Sequence, residues 1–134
     1  MKNLKKLTIL HSNDMHGDFL AEQIDERLEG FVRRIRESHP TTPLIFLQTE
    51  VRESGNFDLK KRAFEDAKRE AARKGMEKIL ETDKNIWFIN PGMELGDDHE
   101  ATVDGVHPTD LGFERMLKKV QPQIIRILQK HGIK

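Results

Sequence analysis

The chain has 134 residues, enough for one modest domain with a core. Charged residues make up 34% of it, yet 23 Lys and Arg balance 23 Asp and Glu to a formal net charge of zero, which argues against nucleic acid or a membrane surface held by bulk charge. With no cysteine there is no disulfide frame, thiolate metal site or Cys nucleophile. The basic start, Met1 to Lys6, precedes an apolar stretch, Leu7 to Leu10, too short for the hydrophobic segment of a signal peptide. No run approaches the length of a membrane span, so the expected location is cytoplasmic.

Leu7-Thr8-Ile9-Leu10 reads as a first buried strand. Phe19, Leu20, Ile24, Leu28, Phe31, Val32 and Ile35 recur at helical spacing and predict an amphipathic helix over 19–38, ended by His39-Pro40. Pro43 to Thr49 predicts a second strand, and Ser54-Gly55-Asn56 a loop. Leu59, Ala63, Phe64, Ala67, Ala71, Met76, Ile79 and Leu80 predict a long helix. Its Lys/Arg/Glu alternation from Lys60 to Lys78 is a solvated face with i,i+4 pairs. Ile86 to Ile89 predicts a third strand, in which Trp87 is a packing residue, and Met93 to Val106 a long loop. A last helix runs from about Thr109 to Lys130 with a kink at Pro122; His39 and His131 are surface residues. This βαβαβα order predicts a single α/β domain over 1–134 with helices packed on a short parallel three-stranded sheet. The first strand leaves an open edge, where a second copy can pair to give a homodimer. No nucleic-acid or membrane partner is expected.

In an open parallel sheet the site lies at the C-terminal ends of the strands. The loops there are 11–18, 50–56 and 90–107. The third contains Asp104-Gly105-Val106-His107-Pro108, an Asp three residues before a His at the start of a helix. That spacing lets the carboxylate reach Nδ1 and fix the tautomer, freeing the other ring nitrogen as a general base.

On these residues the chain resembles, from about 28 to 130, the C-terminal half of an SGNH (GDSL-type) esterase or lipase. Asp104 to Phe113 is similar to that family's last block, and Phe31 to Pro40 before the strand Leu44 to Leu47 to its central helix and strand. His11-Ser12-Asn13-Asp14 occupies the place of its Gly-x-Asn-Asp block, with His11 in place of the Gly. The resemblance implies a flavodoxin-like, SGNH-like half domain in which His107 is the general base, Asp104 its orienter and Asn13 an oxyanion donor, worth about 10²–10³ in rate. The family's Gly-Asp-Ser nucleophile block and its Gly oxyanion block have no counterpart. Of the three serines, Ser12, Ser38 and Ser54, Ser12 is the weak nucleophile candidate. The expectation is a module with little or no esterase turnover on its own, the alternative being a weak serine esterase for small acyl esters.

Leu7 to Gly17 also resembles the opening of a calcineurin-like metallophosphatase of the 5′-nucleotidase type, over about residues 4–26. That resemblance implies Asp14 and His16 as metal ligands of a remnant phosphoesterase. The family's further ligand blocks are missing, so no cofactor is expected beyond weak divalent-metal binding by Asp14 and His16, with His99. Together the two resemblances imply a chimera or designed recombinant, with 1–26 phosphatase-like and 27–134 esterase-like.

Overall fold

The computed structural model describes residues 21–90 and 95–133. The expected first strand, Leu7 to Leu10, lies outside them, as do Phe19 and Leu20, the first two residues of the helix expected over 19–38. The described elements begin with helix α1, Ala21–Ser38, whose apolar stripe turns Leu28 and Val32 inward. Glu22 in its first turn and Arg36 in its last suit the helix dipole, and the helix stops before His39-Pro40. Strand β1, Leu44–Leu47, follows. The predicted loop at Ser54 contains a single 3-10 turn, Glu53–Asn56. Helix α2, Leu59–Thr82, starts at Asp58, whose side chain accepts hydrogen bonds from the backbone N–H groups of Lys60 and Lys61, both at 3.0 Å. Strand β2 is Ile86–Ile89. Helix α3, Asp110–Lys130, continues through Pro122, which cannot supply the usual N–H to the preceding turn.

Strands β1 and β2 pair in parallel, with Leu44 opposite Ile86 and Leu47 opposite Ile89. Gln48 prolongs the ladder by donating its N–H to the Ile89 carbonyl at 2.8 Å, and its buried side chain bonds the Arg69 carbonyl of α2 at 2.8 Å. Alternation along the strands divides the core. Leu44, Phe46, Ile86 and Phe88 pack with Val32, Met76 and Ile79 of α1 and α2. Trp87 and Ile89 point the other way, onto Met116, Val120, Ile124 and Ile127 of α3. The described chain is thus an α/β assembly with helices on both faces of a short parallel sheet. Ile45 and Leu47, on the α3 side of β1, remain exposed because α3 lies over β2. His131 differs from the surface residue expected: its ring packs edge-on against Trp87 at 5.0 Å, where the end of α3 returns to the sheet. The polar face of α2 behaves as its sequence predicts, with Arg73 paired to Glu70 and Glu77, and Lys74 to Glu70.

At the end of the sheet opposite the candidate site, Arg36 of α1 grips the turn between α2 and β2. Its Nε donates to Asp83 at 2.7 Å, and its guanidinium also reaches the carbonyls of His39 and Asn85. The two side chains are only 16% and 24% exposed. Arg36 holds the Asp83 carboxyl below the usual carboxylate range, helped by the Asn85 N–H and against partial burial. A lowered native pKa means the pair's contribution to stability is full above the unfolded-state value, about 4, and is lost as pH falls through the lower native value. Arg36→Ala is therefore expected to lower the urea midpoint at neutral pH and to shrink the loss of stability on acidification below about pH 4; urea titrations across pH, followed by circular dichroism, check both.

Candidate active site

The parallel sheet delivers two described loops to one end, the segment after β1 and the long segment after β2. They are joined there by a backbone bond from the Ser54 N–H to the Gly105 carbonyl at 2.9 Å. The second segment closes on itself before entering α3. Thr102 and Pro108 form an antiparallel bridge, the Val103 N–H bonds the His107 carbonyl, and the Thr109 N–H bonds the Ala101 carbonyl, each of the two bonds at 2.9 Å. Thr109 also caps α3: its hydroxyl accepts from the Gly112 N–H and donates to the Glu100 carbonyl. Gly112 is required by close approach, since a Cβ there would collide with the Ala101 carbonyl oxygen and press Pro108.

Asp104 and His107 sit at the tip of this closed loop. Asp104 Oδ1 accepts from the N–H groups of Val106 at 3.0 Å and His107 at 2.8 Å, a tight Asx turn. Oδ2 lies 2.7 Å from His107 Nδ1. A carboxylate only accepts, so Nδ1 carries the proton, and in the neutral ring Nε2 keeps its lone pair. The turn needs a left-handed residue at Gly105, where φ is +82°. A Cβ there would also press on Ser54 at 3.0 Å. Both members of the pair are exposed, His107 at 67% and Asp104 at 52% of their side chains. The Asp104 carboxyl is held well below the usual range, first by the His107 N–H and ring, then by the Val106 N–H.

Ser12, Asn13, Asp14 and His16 lie outside the described residues. Ser38 is the exposed last residue of α1. Ser54 comes against the Asp104–His107 loop through its backbone, but its Oγ is buried and unbonded, unlike an activated nucleophile. In the acid/His run near His99, Asp98 forms a fork with Arg115, raising the Arg115 pKa, with Asp97 and Glu53 adding to the effect. His99 itself adopts φ +59° with its ring 5.6 Å from Phe57. Among the described residues no three His, Asp or Glu side chains converge as a metal site, and no helix is long and apolar enough to cross a membrane.

Two residues of the site escape sequence reasoning, Glu53 and Thr102. Glu53 looks like an ordinary loop acid, yet it is 6% exposed. Its Oε2 accepts from the Thr102 hydroxyl, which in turn accepts from the Gly105 N–H at 3.0 Å. No local spacing marks the pair, because 49 residues separate them. Glu53 also lines a cleft of about 580 Å³ together with Asn56, Arg62, Leu95 and His99; neither Asp104 nor His107 lines it.

Residues 11–125 match the GDSL-like lipase/acylhydrolase family. The match begins at His11 and runs unbroken across the 26–27 boundary inferred from the two resemblances, so His11 to Gly17 lie inside it. A crystal structure described as a GDSL-like lipase, from Bacteroides ovatus ATCC 8483, is 44% identical, with a TM-score of 0.75; the alignment covers 82% of this chain and 33% of that one. The chain therefore spans about a third of the length of that relative. No curated protein matches it.

The geometry makes a titration prediction. Because Asp104 has a lowered native pKa, its contribution to the loop is full above about pH 4 and is lost as pH falls through that lower value. A carbon-detected NMR titration of Asp104 is expected to show a midpoint below the ordinary range. His107→Ala should raise that midpoint only part of the way, since both backbone N–H donors remain.

Proposed function

Since the chain belongs to the GDSL-like lipase/acylhydrolase family, we propose that it carries the base half of a carboxylic-ester hydrolase site. In this reading His107 is the general base and Asp104 the residue that orients it. The observation that carries the reading is the 2.7 Å contact from His107 Nδ1 to Asp104 Oδ2, in a loop shaped to hold it. A carboxylate in that place sets the tautomer and steadies the imidazolium that forms when Nε2 takes a proton from an attacking hydroxyl. Asn13 would supply a side-chain donor to the oxyanion of the tetrahedral intermediate.

The nucleophile is the missing part. Neither described serine has an exposed hydroxyl beside the base, Ser38 because of its place on α1 and Ser54 because its Oγ is buried. A base without its nucleophile retains little of a triad's rate. By itself, then, the chain acts as a catalytically impaired module of the esterase fold. Full turnover in this reading needs a serine supplied by another segment of a longer protein, or Ser12 placed against His107.

Two esters separate these cases. An activated aryl acetate, which a neutral imidazole can attack unaided, is expected to be hydrolysed slowly, and His107→Ala should remove more of that rate than His39→Ala at an exposed control position. An unactivated short-chain alkyl ester is expected to stay at the solvent rate. His107-dependent turnover of the alkyl ester that also disappears in Ser12→Ala would instead make Ser12 the nucleophile and the chain a weak esterase. Equal aryl acetate rates for the wild type and His107→Ala, with both folded, would sink the base assignment.

A further inference from the structure

The Asp104–His107 loop is fastened from outside by one buried acid. Glu53 opens the 3-10 turn after β1; two hydrogen bonds tie that turn to the loop, and a third, inside the loop, carries the tie to Gly105. Thr102 Oγ1 donates to Glu53 Oε2, the Gly105 N–H donates to Thr102 Oγ1 at 3.0 Å, and the Ser54 N–H donates to the Gly105 carbonyl at 2.9 Å. A hydroxyl has one proton. Because Thr102 gives its proton to a carboxylate, only its lone pairs remain to face Gly105, and the relay from Gly105 through Thr102 to Glu53 has one polarity.

Burying a carboxylate is unfavourable unless its oxygens are bonded, and Glu53 is bonded on one side only: Oε1 is buried without a partner. Such a half-satisfied buried acid calls for an explanation beyond its own packing. What it holds supplies one. Gly105 stands between Asp104 and the two N–H groups that Asp104 Oδ1 accepts, and its left-handed backbone aims the Val106 N–H at that oxygen.

We infer that Glu53 is a positioning residue for the general base, acting through Thr102 on Gly105 and thereby on the tautomer of His107. The inference rests on the reading of His107 as the base. It assigns to the turn after β1 a part in the site that the Asp-x-x-His motif does not contain. The polarity imposed on Thr102 is the operative element: an apolar side chain at 53 leaves the hydroxyl free to rotate its proton toward Gly105 and break the relay.

The test uses the whole chain labelled with nitrogen-15, reading the His107 ring nitrogens above the pH at which the ring titrates, together with exchange of the Gly105 amide. The wild type is expected to show a single tautomer, Nδ1 protonated and Nε2 bare. Glu53→Met keeps the side-chain length and removes the acceptor; Thr102→Val keeps the shape and removes the hydroxyl. In both, the two tautomers are expected to coexist and the Gly105 amide to exchange about three- to tenfold faster, the equivalent of one net hydrogen bond. Thr102→Ser is expected to restore the wild-type pattern. A single tautomer that survives in folded Glu53→Met and Thr102→Val overturns the role of Glu53 and leaves the base reading standing. Two tautomers already present in the wild type overturn the base reading itself. If Glu53→Met does not fold, the comparison of Thr102→Val with Thr102→Ser decides, and an unchanged tautomer in Thr102→Val overturns the relay.

Discussion

Parallel pairing of Leu44–Leu47 with Ile86–Ile89 is the constraint on which the rest of the structure depends. Parallel neighbours cannot be joined by a tight turn, so the chain must travel back along the sheet before the second strand begins. Helix α2 makes that return and buries Met76 and Ile79 on the way. Both strands then end on the same side. The segments that follow them, far apart in sequence, meet there through Ser54 and Gly105. The candidate site lies at that end because the sheet's polarity sends both loops to it.

The closed loop between Ala101 and Thr109 gives this placement a fixed geometry. It is anchored at its base by the cap of α3, at its side by the turn after β1, and at its tip by Asp104. The Asp104 carboxylate has two tasks at once. One oxygen gathers the backbone N–H groups of the turn and the other holds the imidazole, so folding the loop and orienting the ring are the same event. This coupling explains why so exposed a pair is well defined. The order comes from the backbone beneath it, and an isolated surface ion pair would contribute little. Gly105 and Gly112 follow from the same closure, one admitting a left-handed turn and the other the close approach of the loop to α3.

Much of this was legible in the residues. The strand Ile86 to Ile89, the long helix with its apolar positions from Leu59 to Leu80 and the last helix from about Thr109 follow from apolar periodicity, which is local. The Asp104–His107 contact was legible because it too is local, three residues apart on a turn. His131 reads as a surface residue because the end of a helix looks like a tail; whether it meets solvent or Trp87 depends on where α3 lies on the sheet. Glu53 carries no signal in the sequence because its partner, Thr102, is brought near only by the crossover. For Asn13, Asp14 and His16 the sequence supplies motifs alone, since they fall outside the described residues.

The sequence by itself determined the order of the described helices and strands and the pairing of Asp104 with His107, since each is set by interactions within a few residues of chain. Only the tertiary structure decided that Glu53 and Thr102 stand behind that pair, that Ser54 turns its hydroxyl inward, and that α3 covers β2 while β1 keeps Ile45 and Leu47 exposed. The reason is physical. Spacing along a chain fixes which neighbours on one helix face or turn can touch, whereas contacts between segments depend on how the sheet and its crossover pack, which no local pattern encodes.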